Sequence, residues 1–297
     1  MKSVAVIAHS GKAFGGGLDE LRTVLAHNGV HDPIWYEVPK SRKAPKRVRQ
    51  AIDAGAELIF VWGGDGMVQR CIDELAGEPV TVAVLPAGTA NLLATNLGIP
   101  KDSVADAVQV GLHGRPRVLD VGVINGERFM VMAGVGFDAA MIRDADAGLK
   151  DKAGKLAYVW TGVRNVGSDQ VRMKIRVDGA KWFDGKATCL LVGNVGTITG
   201  GLVAFADARP DDGVLEVGVV TAAGALQWSR VLARMAAGSV EKSPFTRHTS
   251  AHTIKATLSR KLPYELDGGA RTEVKTIKVE IEAGAVTICV PNAEGEG

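Results

Sequence analysis

Cysteine is scarce in this sequence, long apolar runs are missing, and neither sign of charge dominates. The three cysteines Cys71, Cys189 and Cys289 are far apart, which argues against a disulfide framework or a zinc site and predicts reduced thiols. No stretch approaches the roughly 18 consecutive apolar residues that a membrane span needs, so any membrane contact is expected to be peripheral. The start of the chain lacks a signal-peptide pattern, and we therefore expect a cytoplasmic protein. A net charge of +2 argues against a nucleic-acid partner.

The first part of the chain alternates short apolar runs with amphipathic helical patterns. Apolar runs occur at residues 4–8, 58–62 and 80–85, and helical spacing of apolar residues separates them. Continuous apolar strands that alternate with helices are typical of a parallel sheet covered on both faces. The pattern predicts a Rossmann-like, three-layer α/β domain over residues 1–117.

After Arg117 the apolar pattern changes to a period of two. Asn125-Gly126 is a strong hairpin signal, and residues 171–177 alternate strictly between apolar and basic side chains. Further alternation follows at 277–281 and 286–290, and helical spacing occurs at 156–163 and 228–235. The pattern predicts a mainly antiparallel β-sandwich over residues 118–289, with a tail at about 290–297 that packs back on the first domain.

Two glycine-rich turns directly follow predicted strands of the first domain. Glycine lets backbone N–H groups approach a phosphate, and the start of the next helix attracts an anion. The carboxylate of Asp65 in such a turn could hold a Mg²⁺ ion that accompanies the phosphate. The plain alternative is an ordinary strand-to-helix turn with an aspartate near the start of the helix. In the second turn the polar side chains could cap the helix or bind phosphate and ribose oxygens. The candidate residues are Gly63, Gly64, Asp65 and Gly66 in the first turn, and Gly88, Thr89 and Asn91 in the second.

Six sequence blocks occur in a specific order along the chain. They are Gly63-Gly64-Asp65-Gly66, Pro86–Asn91 with the Leu-Gly-Ile-Pro run at 97–100, the Gly-Val-Gly-Phe-Asp-Ala run at 134–139, Gly193-Asn194 with Gly200-Gly201, the Asp-Asp-Gly-Val-Leu run at 211–215, and Leu266-Asp267-Gly268. Together they resemble the diacylglycerol kinase catalytic family, which includes sphingosine and ceramide kinases and is distantly similar to NAD kinases. The resemblance extends from residue 1 to about residue 291.

This resemblance implies a nucleotide-binding α/β domain, a β-sandwich domain, and an active site in the cleft between them. It implies ATP and Mg²⁺ as cofactors and a carboxylate base that accepts the proton of a lipid hydroxyl. The implied residues are Gly64, Asp65, Gly88 and Thr89 for ATP and its metal, Asp267 for the base, and Asp212 for a further Mg²⁺ site of some bacterial relatives. Without the family, Asp267-Gly268-Gly269 is better explained as a plain hairpin turn.

Three positions depart from the family pattern. Met67 replaces a threonine, Leu92 an aspartate and Gly269 a glutamate. The hypothesis is nevertheless an ATP- and Mg²⁺-dependent lipid kinase that phosphorylates a hydroxyl of diacylglycerol or a similar lipid at the inner face of the membrane. One alternative is a kinase of a soluble hydroxyl substrate, as NAD kinases are. The other is a catalytically silent nucleotide- or lipid-binding module.

Two basic segments are candidates for contact with anionic lipid. One is the run at residues 40–47, and the other is the basic face formed by Arg172, Lys174 and Arg176. For both, a solvated surface is the simpler explanation. The acceptor lipid and the oligomeric state, including a homodimer, stay open at this point.

Overall fold

The computed structural model describes residues 2–136 and 170–292. The chain forms two compact units, Met1–Asp120 with Ala283–Gly297, and Val121–Glu282. The sequence-based boundaries were 117/118 and about 289/290. Both observed boundaries fall inside continuous strands, Arg115–Ile124 and Gly269–Val290, whose residue pattern carries no signal for a change of unit. The helix predicted at 156–163 lies outside the described residues.

The first unit contains a parallel sheet with helices on its faces. Its strands are β1 (Val4–His9), β2 (Ile34–Val38), β3 (Leu58–Gly63) and β4 (Thr81–Pro86). Its helices are α1 (Gly17–His27), α2 (Ala44–Asp53), α3 (Asp65–Leu75), α4 (Leu92–Asn96) and α5 (Val104–His113), with a 3₁₀ turn at Ser41–Lys43. The strands pair in parallel in the order β2, β1, β3, β4.

Burial explains why the sequence of this unit predicts its strands well. All six residues of β3 are buried, because helices cover both faces of the sheet. On one face, Phe60 and Trp62 pack in a core that includes Leu21 and Leu25 of α1 and Val108 of α5. The α/β class is confirmed. Strand β2 was not predicted, since it is the outer strand and most of its residues are only partly buried.

The second unit consists mainly of antiparallel strands. They are β5 (Arg115–Ile124), β6 (Glu127–Phe129), β7 (Met132–Val135), β8 (Val171–Val177), β9 (Ala180–Ala187), β10 (Cys189–Gly193), β11 (Thr197–Ile198), β12 (Leu202–Val203), β13 (Leu215–Val220), β14 (Thr246–Ala251), β15 (Thr253–Leu266) and β16 (Gly269–Val290). One described helix, α6, spans Gly224–Ala236, and 3₁₀ turns lie at Thr199–Gly201 and Val240–Lys242. The first residues of β5 and the last of β16 belong to the first unit.

The pairing of these strands confirms that the second unit is mainly antiparallel, as predicted. Within this unit the antiparallel order is β14, β13, β10, β7, β15, β16, while β8 pairs with both β15 and β9. Helix α6 was also predicted correctly, and it buries Trp228, Val231, Leu232 and Met235 against β10 and β13 residues.

One strand segment behaves differently from the prediction. The alternation at 286–290 was assigned to the antiparallel second domain. In the structure, Thr287 and Ile288 instead pair in parallel with Thr81 and Val82 of β4, inside the first unit. Alternation shows that a strand has one covered face, but it does not show which sheet the strand joins.

Three hairpin turns share one backbone conformation. Asn125, Asp178 and Asp267 all have positive φ angles, of 49°, 48° and 44°, and each precedes a glycine with positive φ. Two consecutive positive φ angles define the tight turn that suits twisted antiparallel strands, and Asn-Gly and Asp-Gly favour it. The plain hairpin interpretation of Asp267-Gly268 is therefore correct as far as the backbone is concerned.

The three cysteines are unpaired and buried, in agreement with the sequence analysis. Burial raises the pKa of the Cys189 thiol to about 12, so this thiol stays protonated at neutral pH. Among the residues that the structure describes, no helix combines the length and apolarity that crossing a membrane requires.

Candidate nucleotide site and the Asp267 turn

The turn between β3 and α3 presents the start of a helix. Gly64 is extended, with φ −89° and ψ −176°, and α3 begins at Asp65. The N–H groups of Met67 and Val68 donate to the Gly64 carbonyl at 2.8 and 3.1 Å, which starts the helical bonding pattern. Gly66 has open space around its α-carbon. The positive end of the α3 dipole therefore lies beside backbone that no side chain covers. Such a helix start is suited to binding an anion.

Met67, which stands where the family has threonine, does not face this open space. Its side chain is buried, and a Cβ atom on Gly63 would lie 2.5 Å from the Met67 Cβ. Gly63 is thus required by packing, because no other residue would leave room for the Met67 side chain.

The turn between β4 and α4 is held by the side chain of Asn91. This residue is buried and has a left-handed backbone with φ 48°. Its amide oxygen accepts the N–H of Gly88 at 2.9 Å, and its amide nitrogen donates to the carbonyls of Pro86 and Gly88 at 3.0 and 2.8 Å. The Asn91 side chain does not cap α4. It shapes the turn from within, while Thr89 is exposed beside it.

The two glycine turns touch each other through their backbones. Gly63 of β3 pairs with Pro86 of the neighbouring strand β4, so both turns leave the same edge of the sheet. A Cβ atom on Gly88 would lie only 2.4 Å from the Gly64 α-carbon and 2.6 Å from the Asn91 Oδ1. Neighbouring strand ends of a parallel sheet are where such folds bind ligands. The structure therefore brings the two predicted turns together.

Gly88→Ala is expected to destabilise the protein by about 3 kcal/mol, because the new methyl group would collide with backbone rather than with a movable side chain. Gly66→Ala is the matched control: its added Cβ meets nothing within 4 Å, so the free energy of unfolding should change by less than about 1 kcal/mol. Urea unfolding of both variants measures the difference. Equal stability of the two variants would contradict the close approach of Gly64 and Gly88.

Asp65 links the two turns electrostatically. Its carboxylate accepts the N–H of Leu93 at 3.4 Å, and thus lies at the start of α4. Burial raises the pKa of Asp65 above its ordinary value, and backbone N–H groups of α4, including that of Leu92, partly oppose this rise. Sequence reasoning missed this second role, since 28 residues separate the partners.

A Mg²⁺ ion at Asp65 would need further oxygen ligands. In phosphate-transfer sites this ion commonly uses one or two carboxylates and completes its octahedron with phosphate oxygens and water. Asp65 supplies one carboxylate, whereas Leu92 supplies none. Among the described residues no group of three or more His, Cys, Asp or Glu side chains could hold a metal without a ligand's help. The residues fit a Mg²⁺ ion that arrives with a nucleotide.

The buried carboxylate of Asp267 accepts hydrogen bonds from several backbone N–H groups. Its Oδ2 accepts the N–H of Met130 at 2.8 Å, and its Oδ1 accepts those of Val131 and Met132 at 2.9 and 3.0 Å. The Asp267 N–H donates to the Met132 carbonyl at 2.9 Å. These bonds fix the connection between β6 and β7 to the β15–β16 turn. The carboxylate is therefore rigidly placed, whatever chemistry it performs.

Asp212 lies in an exposed turn, and its carboxylate accepts the N–H of Val214 at 3.2 Å. Burial raises the pKa of nearby Glu216, and the charges of Asp212 and Asp207 raise it further. These three acids do not form a metal-holding group. The role of Asp212 as a Mg²⁺ ligand stays a prediction.

The fold defines a protein with an α/β unit, which carries two glycine turns, and a β-sandwich unit. The sequence matches the family "Diacylglycerol kinase catalytic domain" over residues 4–124 and the family "YegS C-terminal NAD kinase beta sandwich-like domain" over residues 130–290. The chain is 30% identical to the "Diacylglycerol kinase" of Bacillus subtilis (strain 168) over 71% of both chains. It is 32% identical to the "Probable lipid kinase YegS-like" of Pseudomonas aeruginosa (strain UCBPP-PA14) over 60% of this chain and 59% of that protein.

Solved structures show the same fold. A diacylglycerol kinase from Bacillus anthracis str. Sterne superimposes with a TM-score of 0.72 at 21% identity, covering 97% of each chain. An NAD kinase from Archaeoglobus fulgidus in complex with ATP gives a TM-score of 0.52 at 10% identity, covering 96% of this chain and 93% of that one. The chain belongs to the diacylglycerol kinase and YegS-like lipid kinase family.

Proposed function

We propose that this protein is an ATP- and Mg²⁺-dependent lipid kinase that transfers the γ-phosphate of ATP to a hydroxyl of diacylglycerol or a similar lipid. The observation that carries the proposal is the backbone contact between Gly64 and Gly88 beside the start of α3. Backbone N–H groups and a helix start are suited to polyphosphate binding. The names of the relatives support a lipid acceptor, and the ATP-bound NAD kinase of the same fold supports ATP.

Phosphoryl transfer depends mainly on positioning and on neutralising charge at the transferred group. In our proposal Gly63, Gly64, Gly66 and Gly88 bring backbone donors to the phosphates, and Asn91 keeps the second turn in shape for this. The exposed Thr89 hydroxyl donates to a phosphate oxygen. Asp65 would hold the metal, which when bound neutralises charge on the phosphate oxygens.

Asp267 is the proposed acceptor of the proton that leaves the lipid hydroxyl. Its three backbone hydrogen bonds keep the carboxylate in one position, and positioning is what a base in this reaction needs most. Gly269, where the family has glutamate, adds no second carboxylate to this turn. No step of this mechanism uses Asp212.

The place of action in this proposal is the cytoplasmic face of the membrane, where a lipid acceptor resides. In this proposal the contact with the membrane is peripheral.

A transfer assay with γ-labelled ATP and Mg²⁺ tests the proposal. Acceptors are detergent-dispersed diacylglycerols, sphingoid bases and ceramides, with NAD in a separate reaction. We expect labelled product from at least one lipid and none from NAD, and chelation of Mg²⁺ should abolish the labelling. Labelled NAD without labelled lipid would establish the soluble-substrate alternative. ATP binding in calorimetry without transfer to any acceptor would establish the silent binding module.

A further inference from the structure

A row of three cations crosses the second unit. Arg176 of β8 lies directly opposite Lys255 of β15, and Lys255 lies directly opposite Lys278 of β16. All three side chains are exposed. Like charges directly opposite each other on neighbouring strands oppose strand pairing. The row therefore has a cost for the fold, and folding alone does not explain it.

The cations of this row are not neutralised by nearby acids. The Arg176 guanidinium donates to the Gly179 carbonyl, a neutral group. Within the described part of the chain, no carboxylate lies within ion-pair distance of Lys255 or Lys278. By contrast, Lys181, which lies opposite Arg176 on β9, and Arg172, farther along β8, share Asp184. The row thus keeps its positive charge.

The three cations line a groove of about 710 Å³, and among the described residues that line it Glu280 is the one carboxylate. One wall is the β5–β6 turn, which is fixed to β16: the N–H of Asn125 donates to the Lys278 carbonyl, and the Asn125 side-chain oxygen accepts the Lys278 N–H, both at 3.0 Å. Because these two bonds hold the β5–β6 turn on β16, this wall of the groove is in place before any ligand arrives.

We propose that this groove, the Arg176–Lys255–Lys278 groove, binds the phosphate headgroups of anionic phospholipids and docks the second unit on the membrane. The inference rests on the proposed function, since a kinase of lipids works at a lipid surface. Lys174, two residues before Arg176 on β8, is exposed on the same face. The positive charge therefore extends beyond the groove, and charge complementarity favours an extended anionic surface over one small anion.

Vesicle co-sedimentation without ATP tests this docking surface. Vesicles of phosphatidylcholine are compared with vesicles of equal parts phosphatidylcholine and phosphatidylglycerol. We expect binding to the anionic vesicles alone, weakened by salt. The triple variant Arg176→Gln, Lys255→Gln, Lys278→Gln should bind them on the order of 100-fold more weakly, since each basic residue contributes about fivefold.

The matched control removes the same charge elsewhere on the second unit. Arg209, Arg230 and Lys242 are exposed outside the groove, and their triple replacement by Gln should weaken binding by less than about fivefold. An equal loss in both triple variants would overturn the groove in favour of overall charge. Inorganic phosphate that binds the parent protein and displaces it from vesicles at low millimolar concentration would overturn the membrane as the ligand.

The groove and the kinase activity are tested separately. With detergent-dispersed acceptor, the groove variant should keep the transfer rate of the parent protein, because the groove is not part of the proposed chemistry. Lys255→Gln alone should also leave the protein at least as stable as the parent in urea at low salt. The variant removes the repulsion between Lys255 and its two like-charged neighbours. Clear destabilisation by Lys255→Gln would show that the row serves the fold, and would contradict the proposal.

Discussion

Asp267→Asn is expected to lower the transfer rate by about 10²–10⁴-fold, the usual contribution of a positioned base, and to destabilise the fold as well. The carboxylate accepts N–H groups at both of its oxygens. An amide group offers one oxygen, so its NH₂ group would face a backbone N–H. One donor is then left without an acceptor, which costs about 1–3 kcal/mol. Rates per folded molecule, with labelled ATP and dispersed lipid, separate the two effects.

Asp178→Asn is the matched control for Asp267. Asp178 also has positive φ before a glycine, and its carboxylate accepts the N–H groups of His252 and Thr253 at 3.1 and 2.7 Å. The Thr253 N–H holds the pKa of Asp178 below its usual range. Its stabilising effect is therefore present at neutral pH and is lost as the pH falls through the folded-state pKa. We expect Asp178→Asn to reduce stability and to leave the transfer rate unchanged.

These two variants decide between two roles for Asp267. If Asp267→Asn retains the parent rate per folded molecule, its carboxylate only fastens a turn and takes no part in the transfer. If both variants lose the rate equally, the loss comes from disturbed hairpin turns rather than from a missing base.

Asp65→Asn is expected to behave in the opposite way to Asp178→Asn, with a large loss of transfer rate and no loss of stability. In our proposal the Asp65 carboxylate holds the nucleotide-bound metal, so its removal should lower the rate on the order of 10²–10³-fold. The amide oxygen can still accept the Leu93 N–H. Transfer rates over a Mg²⁺ titration, together with urea unfolding, measure both quantities.

The pH dependence of stability checks the environment of Asp65. Its pKa is raised in the folded protein, mainly by burial, so the folded state binds its proton more tightly than the unfolded chain does. The contribution of Asp65 to the free energy of unfolding therefore falls as the pH rises from about 4, the unfolded value, through the folded value. Above that range, Asp65→Asn should equal or exceed the parent in stability.

Asp106→Asn serves as the control for Asp65. Asp106 also lies in the first turn of a helix, α5, and it is exposed. Its replacement should leave the rate and its Mg²⁺ dependence unchanged. A rate for Asp65→Asn within about threefold of the Asp106→Asn rate would remove Asp65 from metal binding.

The sequence by itself determined the local structure of this protein. A continuous apolar run predicted β3, because a strand covered on both faces is apolar throughout. Helical spacing predicted α3 and α6, because a helix with one buried face repeats every 3.6 residues. Glycine and asparagine or aspartate at turns predicted the strand ends and hairpins, because few other residues adopt positive φ. The order of the glycine motifs also predicted the family.

The tertiary structure decided everything that depends on strand register and distant partners. It brought the carboxylate of Asp267 to N–H groups that lie 135 to 137 positions earlier in the chain. It paired Thr287 with a strand of the first unit. It also directed the Asn91 side-chain amide to the backbone of the turn that contains it. It also aligned Arg176, Lys255 and Lys278. Local pattern specifies conformation and which face is buried. Hydrogen-bond partners across strands are set only when all strands of the sheet have paired, since a shift of one residue in the register changes every cross-strand neighbour.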